Sequence, residues 1–536
     1  MNPVLHGLAA NPALPAELVD RLIEIAVADV RPNLATGLTS GLAADPSRDL
    51  ATDLASALAE RADLSRAQAR ALAAGGPEVA VQLAYAGRLT DADVDPLTQP
   101  QAALALLDEG AGRPEWARVL AADPDVRHRE KLAACPGLPA DVVERLAADP
   151  DVRVVAELAL WTTPEAATRL AEHPHAEVRR AVAANEATPP AVLSLLIGGE
   201  GLAPARRCPV CDREVPPFVH DPHCPRPDCD LRAGAACDGS HRSTVHETRQ
   251  LALRNPATPT EAVVRFADDP SSLLRTELAA RHDLPPHVAR RLADDPVPGV
   301  RAALAENPAT DEALIRMLAS DRDPEVRRSL AHHPQVPLDV LTRLAGATRI
   351  GPTLLPRIEA ATAAEVVELA ASPHPTVRMF LAARRDLPDG IRDALAADPD
   401  AKVVKSVASH PGLSEARLRA MVDRYGVQVA AMVAANPDAS PSLLEELSRQ
   451  RPPAKKALRA IARHPRATAT ALAACLADDR ARPVAAGHPA LPPHLVVELL
   501  NHADEAVSEA AAANPSLPRP VMETLVREAH GEAAHD

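Results

Sequence analysis

The 536-residue chain has little aromatic side-chain content, only 1% of its residues, and it has 22 glycines against 54 prolines. A core with so few aromatic rings must be thin and built from Ala, Val and Leu on closely packed elements. Proline removes a backbone donor and clashes inside a helix, so this many prolines exclude long helices. Because hydrophobic residues still make up 46% of the chain, the composition predicts many short helices separated by proline-containing turns.

An excess of positive charge and long apolar runs are also absent. The formal net charge is −15 at pH 7, so we expect no general affinity for nucleic acid or for an anionic membrane surface. No run of 18 or more apolar residues occurs, which predicts that nothing spans a bilayer. The N-terminus lacks a basic region followed by an apolar one and is not expected to be a signal peptide. These features predict a cytoplasmic protein, with its thiols reduced.

Motifs of catalysis are missing as well. The chain has no nucleophile elbow, no glycine-rich phosphate loop with the required flanks, and no HExxH. We therefore expect a protein that is not an enzyme. A helical-repeat DNA glycosylase is the most specific alternative, but it would need aromatic or basic residues along a groove, and the overall balance is acidic.

Internal repetition is the strongest positive signal. A Val-Arg or Leu-Arg pair recurs at intervals of 26 residues on both sides of residues 200–245, and a fixed period of this size indicates a solenoid. The unit VRAALAENPATDEALIRMLASDRDPE divides at Asn307-Pro308 into two short amphipathic segments. Neither segment is long enough to be stable as an isolated helix, so stacking on neighbouring repeats must stabilise both. The predicted fold is all-α, a right-handed α-solenoid of two-helix repeats of about 26 residues.

The pattern also predicts the domain organisation. One helical repeat array is expected at residues 1–203 and a second at 247–530. A metal-binding insert is expected at 204–246, and a disordered tail at 531–536. Residues 51–120 and 346–373 fit the period poorly.

The unit VRxxLAxNPxLPxxVVxRLAxDPDP resembles the leucine-rich repeat variant family, with close matches at 126–150, 274–296, 300–324 and 326–345. HEAT-type repeats share its first half. The resemblance implies a curved superhelix of alternating short helices. Such a surface suits the binding of another macromolecule, so we expect a protein partner.

Recurring polar residues within the repeats are interpreted as architectural. The arginines are expected to pair with aspartates of their own or the next Asp-Pro turn, the alternative being a basic groove. Histidines that precede proline stand where asparagine occurs in other repeats, which predicts a hydrogen-bonding role in the turn. Cys135 and Cys475 are expected to be small buried hydrophobes. The arginines are Arg127, Arg153, Arg179, Arg275, Arg301 and Arg327, and the histidines are His173, His333, His410, His464 and His488.

Residues 208–241 interrupt this pattern with five of the seven cysteines of the chain. The candidate ligands follow the spacing C-x2-C-x12-C-x4-C-x7-C-x3-H, and clustered cysteines in a reducing compartment are typical of metal sites. An insert of about 45 residues cannot build its own core, so a metal must supply folding free energy. The segment REVPPFV is expected to form two short strands. The candidates are Cys208, Cys211, Cys224, Cys229, Cys237 and His241.

Zinc is the predicted metal, held by Cys208, Cys211, Cys224 and Cys229, because two closely spaced thiolate pairs complete a tetrahedron. Cys237 and His241 are then reserve ligands. The site is expected to be structural.

Residues 237–241 also spell Cys-Asp-Gly-Ser-His, which resembles the signature of CDGSH iron–sulfur domains, where three Cys and one His hold a two-iron cluster. The Cys-x-Cys pair of that family is missing. The leucine-rich repeat variant family also includes a member with a cysteine-ligated iron–sulfur cluster. The sequence thus predicts a scaffold for protein–protein interaction with a structural metal site, and the alternative is an iron–sulfur redox or sensing protein.

Overall fold

The computed structural model describes residues 3–28, 46–199, 201–213, 218–220, 236–237 and 239–533. The chain divides into two compact units. Unit 1 comprises residues 1–94, 351–354 and 361–536, and unit 2 comprises residues 95–350 and 355–360. The described residues form short helices throughout, with two two-residue strands inside the insert, and the predicted all-α solenoid is confirmed.

The helices are introduced in chain order. The first five are α1 Pro3–Ala10, α2 Ala16–Ala28, α3 Pro46–Ala59, α4 Arg66–Ala73 and α5 Pro77–Tyr85. Unit 2 contains α6 Pro100–Asp108, α7 Pro114–Leu120, α8 Val126–Ala133, α9 Ala140–Ala147, α10 Val152–Trp161, α11 Pro164–Leu170, α12 Ala176–Ala184, α13 Pro190–Gly198, α14 Pro209–Arg213, β1 Phe218–Val219, β2 Ala236–Cys237, α15 Arg242–Arg254, α16 Thr260–Val263, a 3-10 helix at Val264–Asp268, α17 Ser272–Ala279, α18 Pro286–Ala293, α19 Pro298–Glu306, α20 Glu312–Leu318, α21 Pro324–Ala331, α22 Leu338–Ala347 and α23 Pro356–Glu359. The remaining helices, in unit 1, are α24 Ala363–Ala370, α25 Pro375–Leu381, α26 Asp389–Ala396, α27 Ala401–Val407, α28 Glu415–Tyr425, α29 Val427–Ala434, α30 Pro441–Ser448, α31 Lys455–Ala462, α32 Ala469–Cys475, α33 Arg482–Ala486, α34 Pro493–Leu499, α35 Glu505–Ala512 and α36 Arg519–Ala533.

One repeat shows why these residues form helices. Helix α20 begins after Asp311, whose carboxylate accepts the backbone N–H of Leu314 as an N-cap. The next helix, α21, begins after Asp323 with Pro324 in its first turn, where proline costs no hydrogen bond. Each helix buries one apolar stripe, such as Leu314, Ile315 and Leu318 of α20. The caps limit helix length, and the stripe stacks each repeat on the next.

Asparagines in the inter-helix turns join each repeat to the one before it. The Asn307 amide nitrogen donates to the carbonyl oxygens of Ala279 at 2.8 Å and Arg281 at 2.6 Å, while its oxygen accepts the Ala309 N–H at 3.0 Å. The side chain is buried, so it satisfies backbone groups that water cannot reach. We call these linked turns the turn ladder. The same bonds are made by Asn11, Asn185, Asn255, Asn436 and Asn514.

Histidine and arginine replace asparagine in other rungs of the turn ladder. His333 bonds through Nε2 to the Asn307 carbonyl at 2.9 Å, and its Nδ1 accepts the Gln335 N–H. His464 and His488 repeat this arrangement, and His173 Nδ1 accepts the His175 N–H, so the predicted turn role is confirmed for these four histidines. Arg281 donates instead to the carbonyls of Leu253 and Asn255. Each replacement keeps a donor pointed at the preceding turn.

A second ladder pairs arginine with aspartate. Arg301 donates to both carboxylate oxygens of Asp321, 20 residues later, at 2.7 and 2.9 Å, and to the Asp295 carbonyl, six residues earlier. These bidentate, buried pairs are the strong kind of charge-assisted hydrogen bond. The same pairs, 20 residues apart, are Arg129 with Asp149, Arg275 with Asp295 and Arg378 with Asp398. We call this set the ion-pair ladder.

The predicted pairing with an aspartate of the same or the next turn holds for Arg153, Arg275 and Arg301 and is wrong for Arg127, Arg179 and Arg327. Arg153 pairs with Asp151 of its own turn, whereas Arg129, not Arg127, occupies the rung of the ion-pair ladder in its repeat. Among the described residues, Arg179 donates only to backbone carbonyls. A ladder arginine lies six residues after the first residue of the preceding turn, as Arg129 lies six residues after Asp123. Arg127 and Arg153 lie only four residues after the first residue of their turns. Arg327 bonds Thr348 instead of an aspartate. Cys135 and Cys475 are buried as predicted.

Stacking continues where the sequence is interrupted. Across the insert, Asn255 donates to the carbonyls of Ala183 and Asn185, the latter 70 residues away instead of the 26 that separate Asn307 from Arg281. The insert therefore adds 44 residues without breaking the turn ladder. Helix α15 packs on α12 as the next repeat.

The first repeat of the chain also stacks on the last. Helix α1 packs on α35, and the Asn11 amide donates to the carbonyls of Ala512 and Asn514, both at 2.8 Å. Gly7 lies so close to α35 that a Cβ atom there would overlap the Glu509 carbonyl. The turn ladder thus passes from the C-terminal end of the chain to its N-terminal end within unit 1.

This packing explains why the units differ from the predicted arrays of 1–203 and 247–530. Residues 3–94 belong with the C-terminal repeats because α1 and α2 pack on α35 and α36. Residues on both sides of the insert belong to one unit because the turn ladder crosses it. Helix α36 extends to Ala533, into the segment predicted as a tail, and residues 534–536 lie outside the described residues. No described helix has both the length and the apolar content needed to cross a membrane.

Replacing Asn307 tests the turn ladder. Asn307→Ala leaves two buried carbonyls and one N–H without a partner, and we expect a loss of about 2–4 kcal/mol in the free energy of unfolding. Asn307→His should lose less than half of that, because His333 makes the equivalent bonds one repeat later. Thermal and urea unfolding followed by circular dichroism measure both. Equal losses for the two variants would contradict the ladder.

Replacing Gly7 tests the packing of α1 on α35. Gly7→Ala should displace α1, so that amide hydrogen exchange in residues 3–28 becomes faster and the melting temperature falls. Gly299→Ala is the matched control, since a Cβ at Gly299 of α19 meets nothing within 4 Å. Normal protection of residues 3–28 in Gly7→Ala would show that this contact does not form.

Candidate metal centre

The metal module is attached to the repeats at the turn before α12. Arg206 donates its backbone N–H to the Pro174 carbonyl at 2.8 Å, and Ala176 donates to the Arg207 carbonyl at 2.9 Å. These two bonds lay residues 206–207 alongside the turn, as a short parallel bridge. Cys208 follows directly and is 1% exposed. The first ligand candidate is therefore fixed by a repeat that precedes the insert.

The first cysteine pair is formed by a single turn of helix. Cys208 precedes the five-residue helix α14, and Cys211 lies within it. The Cys208 N–H donates to Cys211 Sγ at 3.0 Å, and the Asp212 N–H donates to the Cys208 carbonyl at 3.0 Å. Cys-x2-Cys in one tight turn directs two sulfur atoms to the same point.

The second pair comes from the other end of the insert. Strand β2 pairs antiparallel with β1 and ends at Cys237, which is 2% exposed. The chain then turns back through Gly239 at φ 90° and His241 at φ 54°. Glycine adopts this conformation freely, whereas His241 is the only non-glycine residue with positive φ in the described chain. This strained conformation places the imidazole beside Cys237, and such strain is common at functional sites.

These four side chains converge on one point. Cys208 Sγ and Cys237 Sγ are 3.7 Å apart, and His241 Nδ1 lies 3.5 Å from Cys237 Sγ and 3.9 Å from Cys211 Sγ. All four donor atoms lie within 4.8 Å of one another. A tetrahedral zinc ion with Zn–S bonds of about 2.3 Å places neighbouring sulfurs about 3.8 Å apart. The described cluster therefore has the dimensions of a site for one tetrahedral metal ion.

The surroundings of the thiols are apolar. Cys208 and Cys237 belong to a small buried cluster with Val210 and with Ala176 of the repeat. Burial raises the pKa of the Cys208 thiol to about 12. A thiol with this pKa stays protonated at neutral pH unless a bound cation stabilises the thiolate, and metal binding would release its proton.

An ion-paired network next to Cys211 fixes α14 on the repeats. His175 is buried, its Nδ1 accepts the Glu177 N–H at 3.1 Å, and its Nε2 lies 2.8 Å from the Asp212 carboxylate. Because Nδ1 accepts, Nε2 carries the proton and donates to Asp212. Arg207 binds the other oxygen of Asp212 at 2.6 Å. Groups next to metal ligands often orient them in this way.

The structure brings together four of the six predicted ligands, namely Cys208, Cys211, Cys237 and His241. Cys224 and Cys229 lie outside the described residues, so the predicted four-cysteine set stays a prediction. Cys237 and His241, expected as reserve ligands, are the ones found beside Cys208 and Cys211. The spacing of the candidate ligands along the sequence does not show which four of them lie together. That depends on the pairing of β1 with β2 and on the turn through Gly239.

Two further features differ from expectation or were missed. The segment REVPPFV was expected to form both strands, but within the described residues β1 pairs with residues 236–237. The network of His175 and Asp212 was not foreseen. Its only signal in the sequence is the turn His173-Pro174-His175, where most repeats carry aspartates.

Comparison with known proteins yields likeness to solved structures alone, since no family model and no curated protein matches the chain. A leucine-rich repeat variant with a novel repetitive structural motif is 21% identical, with 50% of this chain and 87% of that chain covered and a TM-score of 0.28. An engineered protein is 17% identical, with 96% and 98% covered and a TM-score of 0.11. A structure of the Pds5–Scc1 complex is 13% identical, with 90% and 66% covered and a TM-score of 0.15. Because no TM-score reaches 0.5, these likenesses carry no argument about function.

Proposed function

We propose that the protein is a non-enzymatic helical-repeat scaffold that binds another protein and carries a structural zinc ion held by Cys208, Cys211, Cys237 and His241. The observation that supports it most is the convergence of three sulfurs and one imidazole nitrogen within 4.8 Å. Three cysteines and one histidine are a standard ligand set for structural zinc.

A structural role follows from the ligand count and the surroundings. Four protein ligands fill a tetrahedral zinc ion and leave no position for a water molecule that could react. The described core of the module consists largely of the ligand cysteines themselves, with Val210 and Ala176. Metal binding would therefore supply much of the folding free energy of the module. It would also fasten residues 208–211, at the start of the insert, to residues 237–241, at its end.

The scaffold role is supported by the repeats. Stacked two-helix units present an extended surface, and the recurring polar side chains of both ladders form hydrogen bonds within the chain. Arg153, Arg275 and Arg301 are therefore poor candidates for a basic groove, because each pairs with an aspartate. We propose a protein partner and a reducing, cytoplasmic location, in which the ligand thiols remain free to bind metal.

An iron–sulfur centre is the second candidate, since the described cluster includes both ends of the Cys-Asp-Gly-Ser-His segment. A two-iron cluster distributes its four ligands over two ions, so donor atoms on different irons lie farther apart than atoms that share one ion. The compact spacing of the four donors favours the single ion. Redox or sensing activity would belong to this alternative.

Metal content of cysteine variants tests the proposed ligands. Purified anaerobically, the wild-type chain should be colourless and contain about one zinc per molecule. Cys237→Ser and His241→Gln should each lose most of the zinc, whereas Cys224→Ser and Cys229→Ser should retain it. Cys135→Ala, which changes a buried thiol of a repeat, is the matched control for general loss of a cysteine. Elemental analysis and a visible spectrum provide the readout.

Two results would contradict this assignment. Zinc lost from Cys224→Ser and Cys229→Ser but retained by Cys237→Ser would restore the four-cysteine site. A brown protein that contains iron and acid-labile sulfide would show that the site holds an iron–sulfur cluster and not zinc.

Chelation tests the structural role of the metal. A strong chelator should speed hydrogen exchange in residues 205–213 and 236–245, while α19 to α21, whose ladders do not involve the module, keep their protection. Unchanged exchange around Cys208 after complete metal removal would show that the module folds without the ion.

The proposed partner class is tested by affinity capture. The metal-loaded chain, immobilised under reducing conditions, should recover the same specific proteins with and without nuclease treatment, and an equally acidic unrelated protein serves as the control. Recovery of nucleic acid alone, surviving moderate salt, would overturn the scaffold proposal.

A further inference from the structure

A cleft of about 300 Å³ lies beside the metal module. It is lined by residues of α12 and α15, by Gly199, by residues 202–205 and by residues 239–241. Arg179 of α12 and Arg249 of α15 both line it, and no described lining residue is an aspartate or a glutamate. The described lining of the cleft therefore carries a net positive charge.

The ion-pair ladder shows what Arg179 lacks. In four other repeats the ladder arginine binds an aspartate 20 residues later. The residue 20 positions after Arg179 is Gly199, because the insert begins where the next Asp-Pro turn would stand. Gly199 lines the cleft, and its backbone φ is 71°. Arg179 is thus a ladder arginine whose aspartate has been replaced by glycine.

No described carboxylate accepts a hydrogen bond from Arg179, although the charge of Glu172 acts on it from a distance. Its guanidinium donates to the backbone carbonyls of His173 at 2.6 Å, Ala203 at 2.7 Å and Glu172 at 3.3 Å. These neutral acceptors satisfy its hydrogen bonds but not its charge, and burial lowers its pKa. A buried cation without a directly bound anion is costly, so an added carboxylate would gain both charge neutralisation and hydrogen bonds.

Arg249 stands at the same ladder position in the repeat that follows the insert. It precedes Asn255 by six residues, as Arg301 precedes Asn307, and Asp269 lies 20 residues after it. Among the described residues no ion pair joins Arg249 to Asp269, and Arg249 Nε is buried without a hydrogen-bond partner. Instead one guanidinium nitrogen lies 3.9 Å from the point where a Cβ of Gly199 would be. Both ladder arginines that flank the insert therefore face the same cleft.

We propose that this cleft binds a carboxylate ligand between Arg179 and Arg249, at the place that an aspartate side chain occupies in the other rungs of the ion-pair ladder. A volume of about 300 Å³ admits a small organic acid or the carboxylate end of a peptide. Either kind of ligand would be recognised in the same way, by two guanidinium groups that bind one carboxylate group. The inference depends neither on which metal is bound nor on the proposed scaffold role.

Acetate binding to the metal-loaded full-length chain tests the site, with acetamide as the neutral control and chloride holding ionic strength constant. Acetate should raise the melting temperature in a saturable manner, and acetamide should not. Arg249→Gln should weaken acetate binding about tenfold or more, the equivalent of one lost charge-assisted hydrogen bond. Arg291→Gln, which removes an exposed arginine paired with Asp268 in the same unit, should leave the affinity unchanged.

A second variant keeps the test decisive if Arg249→Gln is poorly folded. Gly199→Asp restores the ladder residue at a left-handed position that aspartate tolerates better than most residues. It should raise the melting temperature in the absence of acetate and abolish the acetate response. Succinate is then compared with a tripeptide bearing a free C-terminal carboxylate and with its amide. A stronger response to succinate assigns the ligand to small acids, and a stronger response to the peptide acid assigns it to protein termini.

Three results would overturn the proposal. They are a wild-type chain that does not respond to acetate, a response that Arg249→Gln and Gly199→Asp both retain, and an acetamide response equal to that of acetate. Glu200, which follows Gly199 and lies outside the described residues, is tested by Glu200→Gln. If Glu200→Gln binds acetate and the wild-type chain does not, the Glu200 carboxylate itself fills the site and an external ligand is excluded.

Discussion

The hydrogen bond from a turn side chain to the carbonyls of the preceding turn is the interaction on which the rest of the structure depends. Each repeat is two short helices that cannot be stable alone, and every turn leaves backbone groups buried between repeats. Asparagine satisfies them in most rungs, while His333 and Arg281 supply the same donor with a different side chain. The requirement is therefore a donor at a fixed place rather than a particular residue, which explains why the repeats tolerate these exchanges.

This constraint also explains how a metal module can be inserted in the middle of a repeat protein. The turn ladder connects Asn255 to Asn185 as if the intervening segment were absent, so the module emerges from a loop between packed repeats. Both ends of the module must then lie close together, because they leave and enter neighbouring repeats. A metal ion ligated from both ends, by the Cys208–Cys211 turn and by Cys237 with His241, suits that geometry. The module is held to the repeats by His175 and Asp212 as well.

The fold was largely predictable from the sequence because period, proline position and capping residues all act locally. The unit at residues 300–325 divides at Asn307-Pro308 into two helices, as its sequence predicts, and Asp311 and Asp323 cap the helices that follow. The ladder position was missed in the repeat of Arg127, since the arginine that reaches the next aspartate there is Arg129, two residues later. The ligand set was predictable only as six candidates. Choosing among them requires knowing that β2 and the left-handed turn at Gly239 and His241 return the chain to Cys208, which depends on contacts distant in sequence. The loss of the ladder aspartate at Gly199 becomes visible only once the spacing of 20 residues is known from other repeats.

The coordination shell of the bound metal is the most direct test of the proposed ligands Cys208, Cys211, Cys237 and His241. X-ray absorption at the metal edge of the purified, full-length protein measures which atoms bind the ion and at what distances. We expect a zinc ion with three sulfur neighbours at about 2.3 Å and one nitrogen at about 2.0–2.1 Å. A shell of four sulfurs would exclude His241 and place Cys224, Cys229 or both on the metal. An iron edge with a neighbouring iron would contradict the single-ion site altogether.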